Sequence, residues 1–286
     1  MLRARHFILA LLLLGLTACR GPATGPPTAL PTASHPTNSP AIETPSESPS
    51  PPVPGPTVRP STPQPTRTPA LPQSLLGKDI ERIPTGGPVV ALTFDAGANA
   101  DSVTSILATL AQQHAVATFF LTGNFVADFP EPSRRIAAAG YRIGNHSVNH
   151  PYFTSLSDAD IRAQLSDAAA AIRGVTDADP APWFRFPYGD RDARTIAVVN
   201  AAGYVPIRWT VDSLGWQGTK NGTRDASFVV QRVVAAAAPG EIVLMHVGSN
   251  PDDHSMVDAA ALPDIIARLR GLGYGFVTLD ALLSSA

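Results

Sequence analysis

The chain has 286 residues and a formal net charge of -2 at pH 7. This near-neutral balance offers neither the basic surface that nucleic acid requires nor an acidic tail, so we expect no nucleic-acid partner. Hydrophobic residues make up 44% of the chain, enough for a substantial core, and the length allows one large domain or two small ones.

Residues 1–19 are predicted to be an export signal. Basic side chains at Arg3 and Arg5 precede an apolar run at residues 7–16, which is too short to span a bilayer. The run leads into Leu-Thr-Ala-Cys at residues 16–19, which resembles the bacterial lipobox, whose cysteine becomes the lipidated first residue of the mature protein. An ordinary secretory signal with an incidental cysteine is the alternative. We therefore expect an exported protein that is held at the outer surface of the cell membrane by a lipid on Cys19. Because the chain has no other cysteine, an intramolecular disulfide is excluded.

Residues 20–78 are predicted to be a disordered linker. Of the 29 prolines in the chain, 17 lie between Cys19 and Ser74, among many serines and threonines. Each proline fixes φ and removes a backbone donor, and the segment has too few apolar side chains to offset the entropy of ordering. An extended stalk biased towards polyproline II is the expected form.

Residues 79–286 are predicted to form one α/β domain. Strands are expected at residues 89–94, 117–121, 141–145, 183–186, 204–211, 241–246 and 274–279. Helices are expected at residues 101–111, 130–139, 157–173, 191–202, 227–238 and 256–272. This alternation is typical of a parallel sheet, either a barrel or an open doubly wound sheet. No glycine-rich phosphate loop follows the first strand, which disfavours a dinucleotide-binding sheet.

Polar side chains follow most of the predicted strands at the point where each strand ends. They are Asp95, His146, Arg185, Tyr188, Asp212 and His246. Because the sites of parallel barrels lie at the carboxyl ends of the strands, we expect these residues to meet at one edge.

The residue types at this edge favour metal-assisted hydrolysis of an amide or ester. On a helical turn, His146 and His150 would lie on one face and bind one metal ion. The Asp95 carboxylate could take a proton from an activated water, and His246 could protonate a leaving amine. Arg185 could pair with a carboxylate and hold it charged. Each residue alone also has an ordinary structural explanation, such as a helix cap, a core histidine or an ion pair.

Five ordered motifs resemble the NodB-homology polysaccharide deacetylases, the fourth carbohydrate esterase family, over residues 87–283. The motifs are Thr93-Phe94-Asp95-Ala96-Gly97, His146-Ser147-Val148-Asn149-His150, Arg185-Phe186-Pro187-Tyr188-Gly189, Asp212-Ser213-Leu214-Gly215-Trp216 and Leu244-Met245-His246. The resemblance implies a distorted (β/α) barrel with about seven parallel strands. It also implies an enzyme that removes N-acetyl groups from an amino-sugar polysaccharide such as peptidoglycan, a chitin-like oligomer or an exopolysaccharide.

The resemblance further assigns catalytic roles. Asp95 would be the catalytic base and His246 the catalytic acid, with Arg185 orienting Asp95. The backbone N–H of Tyr188 would stabilise the oxyanion.

The metal and substrate sites follow from the same resemblance. His146 and His150 would bind a divalent metal, zinc in the first place, with cobalt or nickel as alternatives. Trp216 would form the pocket for the acetyl methyl group, and Asp212 and Pro187 would contact the glycan.

Two positions depart from the family pattern. The first motif usually has a second Asp as the third metal ligand, where this chain has Ala96. The fourth motif usually has an Asp before its Trp, which raises the basicity of the acid His, and this chain has Gly215. Either Asp101 or Asn99 replaces the missing ligand, or water completes a weaker two-histidine site. A glycan-binding pseudoenzyme and an O-acetyl esterase on the same scaffold are the alternative functions.

Overall fold

The computed structural model describes residues 71–219 and 222–284. The predicted export signal, Cys19 and most of the predicted linker lie outside the described residues. Within residues 71–219 and 222–284, no helix is both long and apolar enough to cross a membrane.

The described residues form a curved sheet of eight strands in which every strand pair is parallel. The strands are β1 (Val89–Ala96), β2 (Ala117–Leu121), β3 (Arg142–Asn145), β4 (Trp183–Phe184), β5 (Val205–Pro206), β6 (Val211–Asp212), β7 (Glu241–His246) and β8 (Gly275–Phe276). Their order is β5-β4-β3-β2-β1-β7-β6, and β8 pairs with β1 outside this path. The predicted distorted (β/α) barrel is confirmed.

The helices surround this sheet. They are α1 (Val103–Gln112), α2 (Gly123–Asp128), α3 (Pro130–Ala138), α4 (Asp158–Thr176), α5 (Ala193–Ala201), α6 (Ala226–Ala235), α7 (Val257–Gly271) and α8 (Ala281–Ser284). As predicted, Ser157 caps α4, because its side chain accepts a hydrogen bond from the backbone N–H of Asp160. The short helix α2 was not predicted, and it begins after Thr122, whose hydroxyl accepts from the N–H of Phe125.

The predicted strand at residues 204–211 is two short strands, β5 and β6, because the chain changes partner between them. Ile80 lies beside the residues that follow β5. The N–H of Ile80 donates to the carbonyl of Pro206, and the N–H of Arg208 donates to the carbonyl of Ile80. Beyond this point Thr210 donates its N–H to Ile242, so the chain has joined β7. The segment at residues 80–83 thus lies in the gap of the distorted barrel.

The last residues of the predicted linker contact the domain. A 3₁₀ turn at Gln73–Leu75 carries Leu75 into an apolar cluster with Ile80 and Ile83. Leu75 is one of the few large apolar residues near the end of the proline-rich segment, and its burial removes apolar surface from water.

The pleat of β1 determines which side chains reach the site. Leu92, Phe94 and Ala96 lie in the apolar cluster shared with the surrounding helices. Successive side chains of a strand point to opposite faces, so Asp95 points to the other side, the barrel interior. A carboxylate at position 96 would therefore enter an apolar cluster on this backbone.

Candidate active site

The carboxyl ends of the strands bring the predicted residues to one cavity of about 540 Å³. The register of the parallel pair β1 and β7 sets Asp95 directly beside His246. The cavity is lined by Asp95, Gly97, Ala98, His146, His150, Phe186, Tyr188, Trp209, Asp212, Trp216, Leu244 and His246. Seven of the nine predicted site residues are therefore cavity-lining, and the other two, Arg185 and Pro187, lie behind the wall.

Asp95 and Arg185 form a buried ion pair at the base of the cavity. Nη1 of Arg185 donates to Oδ1 of Asp95 at 2.7 Å, and the Arg185 side chain is fully buried. The guanidinium is held by the carbonyls of Ile207 and Arg208, at 3.2 and 3.0 Å, and lies over the ring of Phe120. Burial alone would raise the pKa of the Asp95 carboxyl, but the nearby positive charges, Arg185 first, outweigh it and lower this pKa.

His146 and His150 approach each other on a loop, so the predicted helical turn is wrong. The backbone of Ser147 and of His150 is left-handed, with φ of 70° and 59°, and the Ser147 hydroxyl accepts from the N–H of His150. The two imidazole centroids lie 4.8 Å apart. These turns, rather than helical spacing, place both rings on the cavity wall.

The hydrogen bonding of His146 fixes which ring nitrogen faces the cavity. Nδ1 of His146 lies 2.9 Å from the carbonyl of Arg185, and a carbonyl can only accept, so Nδ1 carries the proton. Nε2 is left with a lone pair, 3.4 Å from Oδ2 of Asp95. Burial lowers the pKa of both histidines, that of His150 to about 4. Both rings are thus neutral at pH 7, which is the form that binds metal.

These donors fit a divalent metal that is held by few protein ligands. A carbonyl hydrogen bond to Nδ1 of a histidine, as at His146, is the usual support of a metal-binding Nε2. Within residues 71–219 and 222–284, however, no group of three or more His, Cys, Asp or Glu side chains is arranged to hold a metal. A metal bound by these two histidines would leave its other coordination positions to water and substrate, one more than in a catalytic zinc site with the usual three protein ligands.

Neither candidate for the missing third ligand reaches the cavity. The amide of Asn99 exchanges hydrogen bonds with the backbone of Ser249, donating to its carbonyl at 3.0 Å and accepting from its N–H at 2.8 Å. Asp101 accepts from the Ser249 hydroxyl. Both side chains thus fasten the loop after β1 to the loop after β7, and neither lines the cavity.

His246 has a carboxylate partner that the sequence motifs do not include. Nδ1 of His246 lies 3.6 Å from Oδ2 of Asp258, in the first turn of α7, and the same oxygen accepts from the His246 backbone N–H at 2.9 Å. Burial would lower the pKa of His246, but Asp258, Asp95 and Asp212 outweigh it and raise this pKa. An acid at the start of a helix is ordinary, so no sequence signal pointed to Asp258.

Tyr188 presents a free backbone donor at the cavity. Its backbone is left-handed, with φ of 59°, and its N–H has no hydrogen-bond partner in the described part of the chain. The exposed Tyr188 ring stacks on Tyr152 and meets His150 edge-on. Pro187 is buried and does not line the cavity, so the structure gives no support to its predicted contact with the glycan. Its fixed φ instead begins the 3₁₀ turn Pro187–Gly189 that exposes Tyr188.

Aromatic side chains form much of the cavity wall. Trp216 is half exposed and lies opposite His246, at 6.5 Å between ring centroids, and its indole Nε1 donates to Oδ2 of Asp212 at 3.3 Å. Trp209 also lines the cavity and was not predicted, because it belongs to none of the five motifs. Together with Leu244, these indoles provide an apolar wall beside polar groups, as ligand sites commonly do.

Comparisons with known proteins show which family the chain resembles. Residues 82–207 match the family model described as polysaccharide deacetylase. A chitooligosaccharide deacetylase of Sinorhizobium fredii is 33% identical over 195 residues, 68% of this chain and 88% of the relative. A peptidoglycan-N-acetylglucosamine deacetylase of Bacillus cereus is 30% identical over 69% of each chain.

Solved structures share the fold. A mutant of BA3943 from Bacillus anthracis, described as a CE4 family pseudoenzyme with restored enzymatic activity, superimposes with a TM-score of 0.65. It is 29% identical, and the match covers 72% of this chain and 71% of that one. The family model and the sequence relatives show that the chain belongs to the NodB-homology polysaccharide deacetylases.

Proposed function

We propose that the protein is a metal-dependent deacetylase that hydrolyses N-acetyl groups on an amino-sugar polysaccharide. The observation that carries this proposal is the buried Asp95–Arg185 pair at the base of the cavity, with His246 beside it in the strand register. A base that stays ionised and an acid held protonated, side by side in one cleft, are what amide hydrolysis needs.

Asp95 acts as the base. Its lowered pKa keeps the carboxylate ionised at neutral pH, so it can accept a proton from the attacking water. Arg185 donates from within the wall, which orients the carboxylate and leaves its second oxygen, Oδ2, towards His146. A divalent metal bound by His146 and His150, zinc first and cobalt or nickel as alternatives, would lower the pKa of that water and polarise the acetyl carbonyl.

His246 and Tyr188 act on the other side of the reaction. The backbone N–H of Tyr188 donates to the carbonyl oxygen as negative charge develops there. His246 then gives its proton to the amide nitrogen as the carbon–nitrogen bond breaks, which releases acetate and leaves a free amine on the sugar. The raised pKa of His246 favours the protonated form that this step requires.

The cavity wall suits an N-acetyl group on a sugar ring. Trp216, Trp209 and Leu244 offer apolar contact to the acetyl methyl, and Asp212 offers a carboxylate beside them for sugar hydroxyls. Peptidoglycan, chitin-like oligomers and exopolysaccharide all carry this group, and the similarity to chitooligosaccharide and peptidoglycan deacetylases supports the first two. An O-acetyl ester would pass through the same oxyanion.

The substrate test is acetate release from three polymers by the purified protein: N-acetylglucosamine oligomers, peptidoglycan and an O-acetylated xylan. We expect acetate from an N-acetylated polymer, with new free amines in equal amount, and none from the Asp95→Asn variant. Release from xylan alone would establish an esterase. Binding to the oligomers with no release from any polymer would establish a pseudoenzyme.

We also propose that the protein is exported and anchored by a lipid on Cys19, with the proline-rich residues that follow it as a stalk. The lipobox-like sequence at residues 16–19 and the 17 prolines that follow support this. Metabolic labelling with a radioactive fatty acid tests it. Label on the wild type but not on Cys19→Ala is expected, and an unlabelled, freely secreted wild type would contradict the anchor.

A further inference from the structure

Asp258 is a buried carboxylate that the family motifs do not explain. It is 3% exposed, although an ionised group is costly to remove from water unless it is partnered. Its location in the first turn of α7 suggests a helix-stabilising acid, but the hydrogen bond that it accepts comes from another element, the backbone N–H of His246. The Asp258 carboxylate is therefore turned away from its own helix and towards His246 at the end of β7.

The side chains of Asp258 and His246 complement each other. Oδ2 of Asp258 lies 3.6 Å from Nδ1 of His246, within ion-pair range when the imidazole is protonated. Within the described residues, neither Nδ1 of His246 nor Oδ1 of Asp258 makes a hydrogen bond to any other group. Nδ1 of His246 is thus buried without a hydrogen bond, and the Asp258 carboxylate, 3.6 Å away through Oδ2, is the acceptor group that lies beside it.

Gly215 makes this contact possible. A Cβ at position 215 would lie 2.1 Å from Oδ1 and 2.4 Å from Cγ of Asp258, closer than any real contact. The carboxylate of Asp258 thus occupies the space that a side chain at position 215 would fill. The buried acid on α7 can therefore be accommodated only because position 215, where the family usually has an Asp, is a glycine.

We propose that Asp258 is the positioning residue of His246, supplied from α7 into the space above Gly215. The carboxylate holds the imidazole with Nδ1–H towards α7, which leaves Nε2 to carry the proton that is transferred. After transfer the ring is neutral, with its remaining proton on Nδ1 beside Asp258. This inference rests on the proposed function only for the identity of the reaction.

The first test compares Asp258→Asn with a matched control on the same helix, Asp264→Asn, which removes an exposed carboxylate instead. The amide that Asp258→Asn introduces can still accept from the His246 backbone but carries no charge. We expect kcat for acetate release to fall by about 10–100-fold, by analogy with the loss of a carboxylate that supports a metal-bound histidine. KM and the melting temperature should stay close to those of the Asp264→Asn control.

The pH profile separates positioning from a structural role. Three carboxylates face His246, Asp258 from α7, Asp95 from β1 and Asp212 from β6, and His146 and His150 oppose them with positive charge when protonated. Loss of one carboxylate should move the alkaline limb of kcat to lower pH. Asp258→Asn with an unchanged kcat and an unmoved limb would overturn the proposal.

The sharpest test moves the carboxylate from α7 to position 215. Gly215→Asp alone should be inactive or unfolded, because two side chains would occupy one space. The double variant Gly215→Asp/Asp258→Ala should regain at least about tenfold over Asp258→Ala. No regain in a folded double variant, judged by its melting transition, would contradict the shared space.

A readout without turnover keeps this inference separate from the proposed function. Nitrogen-15 spectra of the His246 ring, recorded at alkaline pH where the ring is neutral, should show the proton on Nδ1 in the wild type and a shift towards Nε2–H in Asp258→Ala. If the wild type releases no acetate but shows this change, the positioning holds and the proposed function fails. An unchanged tautomer would refute the positioning whatever the activity.

Discussion

Replacement of Arg185 by Met should both destabilise the fold and disable Asp95. The guanidinium is fully buried and donates to Asp95, Ile207 and Arg208, so its loss leaves a carboxylate without its counter-ion in the barrel interior. Breaking a buried pair by removing one partner costs about 3–5 kcal/mol. With a typical urea dependence of about 2 kcal/mol per molar, the unfolding midpoint should fall by about 2 M.

In Arg185→Met the stability of the fold should also change with pH in the opposite direction. In the wild type the pKa of Asp95 lies below its usual 3.8, so this carboxylate contributes stability at neutral pH that is lost as the pH falls below about 4. Without Arg185, burial dominates and raises the pKa of Asp95. The variant should then lose stability as the pH rises, and the acid limb of kcat/KM should move to higher pH.

Urea unfolding at several pH values, with acetate release measured in parallel, checks both effects. The double variant Asp95→Asn/Arg185→Met is the control, because it removes both charges and should be more stable than Arg185→Met alone. A loss of less than about 1 kcal/mol in Arg185→Met, or a double variant no more stable than the single, would refute the ion-pair argument.

Three further variants test other parts of the structure. Asp95→Asn should lower kcat by about 10²–10⁴-fold with its fold intact by circular dichroism, and near-normal turnover would remove Asp95 from the base role. His150→Ala should bind less zinc in equilibrium dialysis, since one of two imidazole donors is lost, whereas undiminished zinc would place the metal elsewhere. Glu241, buried at the start of β7, has a pKa raised by burial to about 7 despite the opposing charge of Arg82. Its protonated form is favoured in the folded state, so stability should fall as the pH rises from about 4.5 to 7, by at most about 3 kcal/mol. Glu241→Gln should abolish this slope in thermal unfolding, and an unchanged slope would assign it to another group.

The sequence predicted most of the barrel because its patterns are local. The buried run of β1, the cap at Ser157 and the glycines after several helices each specify an element without reference to the rest of the chain. The split between β5 and β6 was not predictable in this way. It depends on Ile80, which is distant in sequence and inserts between them.

The site residues show the same difference between local patterns, which were predictable, and contacts between distant residues, which were not. Asp95, His146 and His246 were found because each directly follows or ends a strand, and parallel strands end at one edge. Asp258 and Trp209 were missed because their roles come from tertiary contact, and neither belongs to a motif. The loop carrying His146 and His150 was mistaken for a helical turn. Two residues four positions apart lie on one face only if the backbone between them is helical, and here it is not.

Acetate release from N-acetylglucosamine oligomers by the wild-type protein is the most direct test of the central claim, with zinc content measured on the same sample. The claim predicts release that stops with EDTA, returns with zinc or cobalt, and is absent in Asp95→Asn. A folded, zinc-loaded wild type that binds the oligomers and releases no acetate would contradict it.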